Sequence, residues 1–403
     1  MTNPGDRGQK GGPRPRPSPS GGSTGNNLLK LLAVILLVPA LMPFFVPPVA
    51  DMYNHPVFHS LDRSISAGRN VKRLRRQGDV VEQPGANGSR KIKPVVCGEY
   101  LGDKSIWDPN ADMNRTEMQR LTITDPPFII SLHAMHFDKM RWVHIMKKGE
   151  YYETGVTAAF HTILGKYDSS VRPAPLVIDI GMNIGWFSLY SRAHGHDVAA
   201  FEPNKVMFLR VCESLQYNNW ENDNTVSLWN YGLGAQAGSF NLTTGNNPGG
   251  SSFHEDRLAP KFRKKMTVEV ATLDSVAIQE GWLDRQVSLL KVDVEGFENF
   301  VFEGGKRLIY NGNVENIFME NSIHNITVVG EMIDMLYDAG YRLNEIRTVN
   351  GDPYHEDWWP TFNPMLEERA KHENNDEVSS QLNFLSKSTC NLWWQHNKIR
   401  NDK

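Results

Sequence analysis

The segment "PLVIDIGMNIGWFSLYSRAHGHDVAAFEPN", from Pro175 to Asn204, carries the clearest pattern of strands and helices in the chain. It contains an apolar run, Val177 to Ile180, then an amphipathic segment, Ile184 to Ala193, and then a second apolar run, Val198 to Phe201. Short apolar runs predict strands, and longer amphipathic segments predict helices. A strand, a helix and a strand in this order indicate a crossover unit of a parallel sheet.

The same alternation continues after this unit. Further strands are predicted at Val226 to Tyr231, Ser288 to Val292 and Asn316 to Met319, with helices at Val206 to Tyr217, Phe300 to Tyr310 and Ile326 to Ala339. We therefore expect an α/β fold with a parallel, doubly wound sheet. The turn-rich segment Gly238 to Phe253, followed by "MTVEVATLD", predicts a hairpin beside that sheet. Ahead of the core, "GEYYETGVTAAFHTILGKY" predicts a helix.

Shifts in composition divide the chain into successive parts. We predict a disordered tail at 1–27, a membrane anchor at 28–50, a stem or linker at 51–95, a lead-in region at 96–172, and a main domain at 173–396 that contains an inserted loop at 348–389. The tail is rich in Gly, Pro and Ser, a mixture that buries too little apolar surface to order itself.

The anchor is predicted from Leu31 to Ala50, where twenty consecutive residues carry no charge. This length matches the hydrocarbon core of a bilayer, although Pro39 and Pro43 interrupt the helix. A cleaved signal peptide, an organelle-targeting leader and a buried core helix are the alternatives. Basic residues precede the run, so the positive-inside rule predicts a single-pass protein with a cytosolic N-terminus and its main domain in the lumen of a Golgi- or ER-type compartment.

The overall composition is that of an ordinary folded protein, with 403 residues of which 40% are apolar and 22% are charged. A formal charge of −3 gives no reason to expect a nucleic-acid partner. Cys97, Cys212 and Cys390 lack the spacing of a zinc site and are too few for a disulfide framework. One disulfide is compatible with a location outside the cytosol.

The turn after the first strand has the features of a ligand site, because parallel sheets bind ligands beyond the carboxyl ends of their strands. Asp179 ends this strand, and Glu202 ends the next strand 23 residues later, where a carboxylate can accept hydrogen bonds from both ribose hydroxyls. The turn itself contains Gly181, Asn183 and Gly185. Two glycines spaced in this way do not fit G-x-G-x-x-G, so the turn favours a nucleoside that carries no phosphate.

Five blocks in this order resemble the FkbM-type, S-adenosylmethionine-dependent methyltransferases. They are "VIDIGMNIGWFSLYSR", "AFEPN", "NYGLG", "TLDSV" and "LLKVDVEGFENFVFEGG", and the resemblance covers about residues 145 to 347. It implies a Rossmann-like, seven-stranded sheet of the class I methyltransferase type, mostly parallel with one antiparallel edge strand, for which "CNLWW" is the candidate last strand. It also implies S-adenosyl-L-methionine as the cofactor.

The resemblance implies a role for each residue of the turn. Asp179, Gly181, Asn183 and Gly185 would surround the methionine part of the cofactor. Glu202 would hold the ribose, and Asn230, which follows the third strand, would lie near the adenine.

The block "SLLKVDVEGFE" carries three charges, Lys291, Asp293 and Glu295, at alternate positions and hence on one face of a strand. Burying three charges is costly unless they form ion pairs or line a wet cleft, and an ion-paired strand end is the alternative interpretation. Asp293 or Glu295 is therefore the candidate catalytic base, or the group that holds the acceptor hydroxyl. We rank His324 and His254 below these carboxylates.

A second acidic position follows in "FMENSIHN", at the end of the neighbouring strand. Asp293, Glu320 and Asn321 together resemble the divalent-metal site of catechol-type O-methyltransferases, and oxygen ligands of this kind suit a metal such as Mg²⁺. A helix-capping role for Glu320 is the alternative.

The sequence thus predicts a membrane-anchored methyltransferase that methylates a hydroxyl of a sugar, a glycan or another small acceptor. One alternative is a lumenal glycosyltransferase that uses Asp293 and Glu295 as an acidic metal–nucleotide motif. Another is a catalytically inactive module that keeps the fold. The turn "DIGMNIG" and Glu202 argue against the glycosyltransferase, because a nucleotide-sugar site does not require them.

Overall fold

The computed structural model describes residues 92–141, 145, 152–168, 170–245, 248–253, 264–348 and 378–400. Its strands are β1 Gln119–Leu121, β2 Ile129–Ser131, β3 Leu176–Ile180, β4 Asp197–Phe201, β5 Val226–Trp229, β6 Gly232–Leu233, β7 Gly238–Thr244, β8 Lys264–Ala271, β9 Val287–Val292, β10 Asn316–Asn321, β11 Tyr341–Thr348 and β12 Cys390–His396. Its helices are α1 Cys97–Gly102, α2 Lys139–Arg141, α3 Thr154–Leu164, α4 Trp186–Ala193, α5 Lys205–Tyr217, α6 Leu273–Gln279, α7 Glu298–Gly304, α8 Lys306–Tyr310, α9 Ile326–Asp338, α10 Val378–Leu385 and α11 Asn397–Arg400. Single 3₁₀ turns occupy Arg115–Met118, Pro248–Gly250 and Trp282–Asp284.

Seven strands form the central sheet in the order β11-β12-β10-β9-β3-β4-β5. The pairs β10–β9, β9–β3, β3–β4 and β4–β5 are parallel, and β12 is antiparallel to both of its neighbours. The strand order reverses direction between β3 and β9. The carboxyl ends of these two strands therefore flank the crevice in which such sheets bind ligands.

The position of the antiparallel strand corrects the sequence-based expectation. β12 is not an edge strand, because it forms hydrogen bonds with β10 on one side and with β11 on the other. The last strand of the chain thus inserts between two strands that precede it, and the edges of the sheet are β11 and β5. The predicted strand "CNLWW" is confirmed, with bounds Cys390–His396.

Apolar cores cover both faces of the sheet, as a doubly wound fold requires. Along β3, Val177 packs on one face with α3, α4 and α5, whereas Ile178 packs on the other face with α6 to α10. Side chains alternate between the faces of a strand, so β3 reads as a continuous apolar run because both of its faces are buried.

The predicted helix from Phe300 to Tyr310 is two helices, α7 and α8, which meet at Gly304 and Gly305. A β-carbon at Gly304 would lie 2.0 Å from the carbonyl oxygen of Gly234, and one at Gly305 would lie 2.7 Å from Leu273. The break therefore lets neighbouring backbone and side chains approach closely. The predicted hairpin is present as β7 and β8, which pair antiparallel in a separate three-stranded sheet with β6.

The lead-in region is joined to the main domain by a disulfide between Cys97 in α1 and Cys212 in α5. Cys390 is a free thiol, buried in β12. Next to the disulfide, the ring of Tyr100 packs on Phe208 with centroids 4.8 Å apart. The lead-in also forms a short hairpin of its own from β1 and β2.

Among the residues that the structure describes, we find no helix with both the length and the apolar character needed to cross a bilayer. The predicted anchor at 28–50 lies outside the described residues, as do the tail and the stem up to residue 91.

Candidate functional site

A cavity of about 260 Å³ opens at the carboxyl ends of β3, β4, β9 and β10. One half is lined by the turn after β3 and the end of β4, including Gly181, Asn183 and Glu202. The other half is lined by Lys291, Asp293, Glu295 and Glu320. The sheet therefore brings the two groups of residues that stood out in the sequence to one cavity.

The turn after β3 depends on its glycines. Gly181 and Gly185 have φ values of +79° and +84°, which glycine adopts without steric cost. A β-carbon on Gly181 would lie 1.8 Å from the carbonyl oxygen of Asp293, and one on Gly185 would lie 3.0 Å from Val211. Asn183 between them also has a positive φ, 57°, which asparagine tolerates better than most residues.

Glu202 is the carboxylate at the end of β4, and only 7% of it is exposed. One of its oxygens accepts the backbone N–H of Asn183 at 3.0 Å, and the other accepts that of Asn204 at 2.8 Å. Burial raises the pKa of Glu202 to about 7, although these two hydrogen bonds act in the opposite direction. A carboxylate has about four lone-pair positions, so the remaining ones are available to hydroxyl groups of a ligand in the cavity.

Lys291 lines the cavity and forms ion pairs with two carboxylates. Its Nζ is 3.2 Å from an oxygen of Asp293 and 3.5 Å from an oxygen of Asp179. Asp179 is fully buried and also accepts the hydroxyl of Ser188 at 2.6 Å. Burial disfavours the charged ammonium, but Asp293, Asp179 and Glu153 outweigh it, so the pKa of Lys291 lies above its ordinary value. Of the two interpretations of the charges in "SLLKVDVEGFE", the ion pair therefore applies to Lys291.

Three carboxylates converge on the other half of the cavity. Oxygens of Asp293, Glu295 and Glu320 all lie within 4.8 Å of one another. Burial raises the pKa of Glu320 well above its ordinary value, and the charges of Asp293 and Glu295 add to this effect. Such a set repels itself unless a proton or a cation lies among the carboxylates.

The backbone after β9 differs from the sequence-based expectation. β9 ends at Val292, so Asp293 and Glu295 belong to the loop beyond it and not to one face of the strand. Glu295 has a positive φ of 56°. Buried Glu298 holds this loop, because its carboxylate accepts the N–H of Gly296 at 2.9 Å.

The lead-in region contributes a wall that the sequence did not reveal. Arg141, Tyr152 and Glu153 line the cavity. Glu153 adopts a left-handed backbone conformation, φ 42°, just before α3. Burial raises the pKa of its carboxyl, and the charge of Asp293 acts in the same direction. No spacing or motif marks Glu153 in the sequence, because its position follows from how α3 packs on the sheet.

Other predicted site residues lie outside the lining of the cavity. Asp179 and Gly185 do not line it, and Asn230 donates from its side chain to the carbonyl of Glu202 at 2.7 Å and so fixes the chain after β4. Asn321 is not brought to Asp293 and Glu320. It follows Glu320 on a strand and therefore points to the opposite face, where its amide donates to the carbonyl of Leu385 at 2.8 Å.

The two candidate histidines differ in what the structure shows. His324 lies away from the cavity, with its ring Nδ1 3.3 Å from the carbonyl of Ser386. His254 lies outside the described residues.

Sheet order and site together define a Rossmann-like fold with a cavity at its switch point. Residues 179–343 match the family model described as the methyltransferase FkbM domain. The match confirms the resemblance over the segment that contains every predicted cofactor, catalytic and metal residue. No curated protein matches the sequence significantly.

The solved structures that resemble this chain are distant. They include a precorrin-6y C5,15-methyltransferase from Geobacter metallireducens, with a TM-score of 0.25, 13% identity, and coverage of 49% of this chain and 80% of that one. A second is a phosphoethanolamine N-methyltransferase from Haemonchus contortus, solved with S-adenosyl-L-methionine. Its TM-score is 0.29 and its identity is 9%, with coverage of 67% of this chain and 61% of that one. A third is an O-methyltransferase of a Brevibacillus brevis multienzyme, solved with S-adenosyl-L-homocysteine. Its TM-score is 0.26 and its identity is 13%, with coverage of 64% of this chain and 79% of that one. None of these likenesses bears on the function of this chain.

Proposed function

We propose that this protein is an S-adenosylmethionine-dependent methyltransferase that methylates a hydroxyl group of a sugar, a glycan or another small acceptor. The observation that carries the proposal is Glu202, a buried carboxylate at the end of β4 that lines the cavity and is held there by two backbone N–H groups. Within a segment that matches a methyltransferase family, the free lone pairs of this carboxylate fit the two hydroxyls of a ribose, from which they would accept hydrogen bonds.

The residues of the cavity fit the other parts of this cofactor as well. Gly181 leaves open the space that a side chain would fill, so the backbone of the turn can approach a ligand closely. Two cations, Arg141 and Lys291, line the cavity among the described residues, and each already forms an ion pair with a carboxylate of the protein. When bound, S-adenosylmethionine supplies a methyl group bonded to a positively charged sulfur.

The opposite half of the cavity holds the acceptor in this proposal. Asp293 is the group we assign to proton removal, because this residue lines the cavity and the Nζ of Lys291, 3.2 Å from one of its carboxylate oxygens, holds it in place. Glu295 is the alternative base on the same loop. The carboxylate would take the hydroxyl proton as the acceptor oxygen bonds to the methyl carbon and the bond from that carbon to sulfur breaks, which would leave S-adenosylhomocysteine. Positioning of the acceptor would supply much of the rate.

We also propose that a divalent metal ion binds in the acceptor half of the cavity. Asp293, Glu295 and Glu320 offer three oxygen ligands that suit Mg²⁺, and Glu295 replaces Asn321 in the predicted set. The mutual repulsion of the three carboxylates would favour a cation. Undiminished activity after treatment with EDTA would exclude a required metal, whereas loss that Mg²⁺ restores would support it.

The proposal also covers the cellular location of the protein. We propose a single-pass membrane protein whose main domain faces an oxidising lumen, with an anchor at residues 28–50. The Cys97–Cys212 disulfide supports this location, since disulfides persist mainly in such compartments.

Incubation of the full-length protein with methyl-labelled S-adenosylmethionine and an extract of glycans, lipids and proteins tests the activity. We expect the wild-type protein to transfer the label to an acceptor hydroxyl, where it forms a methyl ether. We expect no transfer by the variant Asp293→Asn. The exposed Asp112→Asn serves as the matched control. Transfer of a sugar from a nucleotide sugar, without methyl transfer, would instead favour the glycosyltransferase. No transfer of either kind would favour the inactive module.

A further inference from the structure

One segment of the hairpin excursion reaches both halves of the cavity. Residues 248–253, here called the strap, follow β7 and begin with the 3₁₀ turn Pro248–Gly250. Gly249, Ser251 and Phe253 line the cavity. The strap is fastened to β7 by two backbone hydrogen bonds between Thr243 and Ser252, each 2.9 Å long.

On the cofactor side, two asparagines connect the strap to Glu202. Asn183 donates its backbone N–H to one oxygen of Glu202 at 3.0 Å, and its side-chain amide to the carbonyl of Gly249 at 3.2 Å. Asn204 donates its backbone N–H to the other oxygen of Glu202 at 2.8 Å, and its side-chain amide to the hydroxyl of Ser251 at 2.8 Å.

The side-chain oxygens of the two asparagines are also used in the same way. Each accepts a backbone N–H further along the chain, from Ile184 at 2.9 Å and from Val206 at 3.0 Å, respectively. The second of these bonds caps α5. Neither side chain can therefore turn without breaking its local structure, so both amides are aimed at the strap.

On the acceptor side, the strap contacts the loop after β9. The hydroxyl of Ser252 donates to the carbonyl of Glu295 at 3.1 Å. The ring of Phe253 packs on that of Phe297, with centroids 4.8 Å apart. Glu295 is the non-glycine residue of this loop with a positive φ, and its backbone conformation is therefore sensitive to what holds it.

We propose that Asn183 and Asn204 are positioning residues that couple Glu202 to the strap, so that cofactor binding orders the strap and completes the acceptor half of the cavity. This inference rests on the proposed function. A ligand that hydrogen-bonds to Glu202 fixes the carboxylate, the carboxylate fixes the two asparagines, and their amides fix the strap. The strap then holds the Glu295 loop, so the cofactor binds before the acceptor.

Hydrogen–deuterium exchange of the full-length protein, with and without S-adenosylhomocysteine, tests the coupling. We expect the ligand to slow exchange of the amides of residues 249–253 and 294–297 at least fivefold. Ser251→Ala removes one strap contact and leaves the cap of α5 intact, so it should lose most of the ligand-dependent protection at 249–253. Ser239→Ala, on the exposed part of the same hairpin, is the matched control and should behave as wild type.

A second variant separates the two halves. Ser252→Ala should keep its affinity for S-adenosylhomocysteine, measured by calorimetry, and lose the ligand-dependent protection at 294–297. If the wild-type protein binds the ligand and exchange in the strap does not change, or if Ser251→Ala matches Ser239→Ala, the coupling is wrong and the proposed function stands. If calorimetry shows no binding, both are overturned.

Discussion

Gly181 and Asp293 are in backbone contact across the switch point of the sheet. A β-carbon on Gly181 would lie 1.8 Å from the carbonyl oxygen of Asp293, and the N–H of Asp293 donates to the carbonyl of Ile180 at 3.0 Å. The turn on the cofactor side and the loop on the acceptor side therefore meet without an intervening side chain.

Gly181→Ala should disrupt the turn for two reasons, its φ of +79° and the clash with Asp293. A left-handed conformation alone costs about 1–2 kcal/mol for a residue with a β-carbon. We expect the affinity for S-adenosylhomocysteine, measured by calorimetry, to fall at least about tenfold. Gly102→Ala is the control, since no atom lies within 4 Å of its β-carbon position. Equal affinity of the two variants would contradict the contact.

Lys291→Met should destabilise the protein, because it leaves Asp179 buried without its cationic partner. Breaking a buried ion pair from one side costs about 3–5 kcal/mol, which denaturant unfolding can measure. The double variant Lys291→Met/Asp179→Asn should recover much of this stability, since an amide oxygen can still accept from Ser188. It should not recover methyl transfer, because Asp293 still lacks its cation. A single variant as stable as the wild type would show that the pairs contribute little.

The pH dependence of cofactor binding follows from Glu202. Its pKa in the folded protein is raised from 4.5 to about 7, so the folded state binds the proton more tightly than the unfolded state. The stability that this proton contributes is present at low pH and is lost as the pH rises towards 7. The ionised carboxylate accepts ribose hydroxyls better, so ligand affinity should rise by about tenfold between pH 6 and pH 8.

Calorimetry at the two pH values in buffers of different ionisation enthalpy measures both the affinity and the proton released on binding. Glu202→Gln should remove the pH dependence, because it has no titrating group at this position. A flat profile in the wild-type protein would show that Glu202 does not contact the ligand.

Reduction of the Cys97–Cys212 bridge should lower stability, because the bridge joins residues 115 apart in sequence and restricts the unfolded chain. We expect a loss of about 2–4 kcal/mol in the free energy of unfolding. The double variant Cys97→Ser/Cys212→Ser should show the same loss and no further response to reductant. A reductant effect that persists in the double variant would have to come from elsewhere in the chain.

Much of the fold could be predicted from local pattern. The strands Val177 to Ile180, Val198 to Phe201 and Ser288 to Val292 are apolar runs whose bounds differ from the structure by one residue at most. The position of β12 could not be predicted, because which strands it joins depends on a connection after β11 that carries no periodic signal. The break between α7 and α8 depends on what Gly304 and Gly305 contact, which spacing does not show.

The two sides of the site differ in the same way. The positions of Glu202 and of the glycine turn can be predicted, because each follows the end of a strand and precedes a helix. The positions of Glu153 and the strap cannot be predicted, because contacts with residues distant in sequence place them at the cavity. Asn321 was misplaced because it is adjacent to Glu320 in sequence but lies on the other face of β10.

A calorimetric titration of the full-length protein with S-adenosylhomocysteine tests whether this cavity binds the cofactor. We predict binding with one site per chain, loss of binding in Glu202→Ala, and unchanged binding in Glu269→Ala, which removes an exposed carboxylate on β8. Melting temperatures of both variants show that they are folded. No binding by the wild-type protein, or equal binding by a folded Glu202→Ala variant, would contradict the assignment of this cavity to the cofactor.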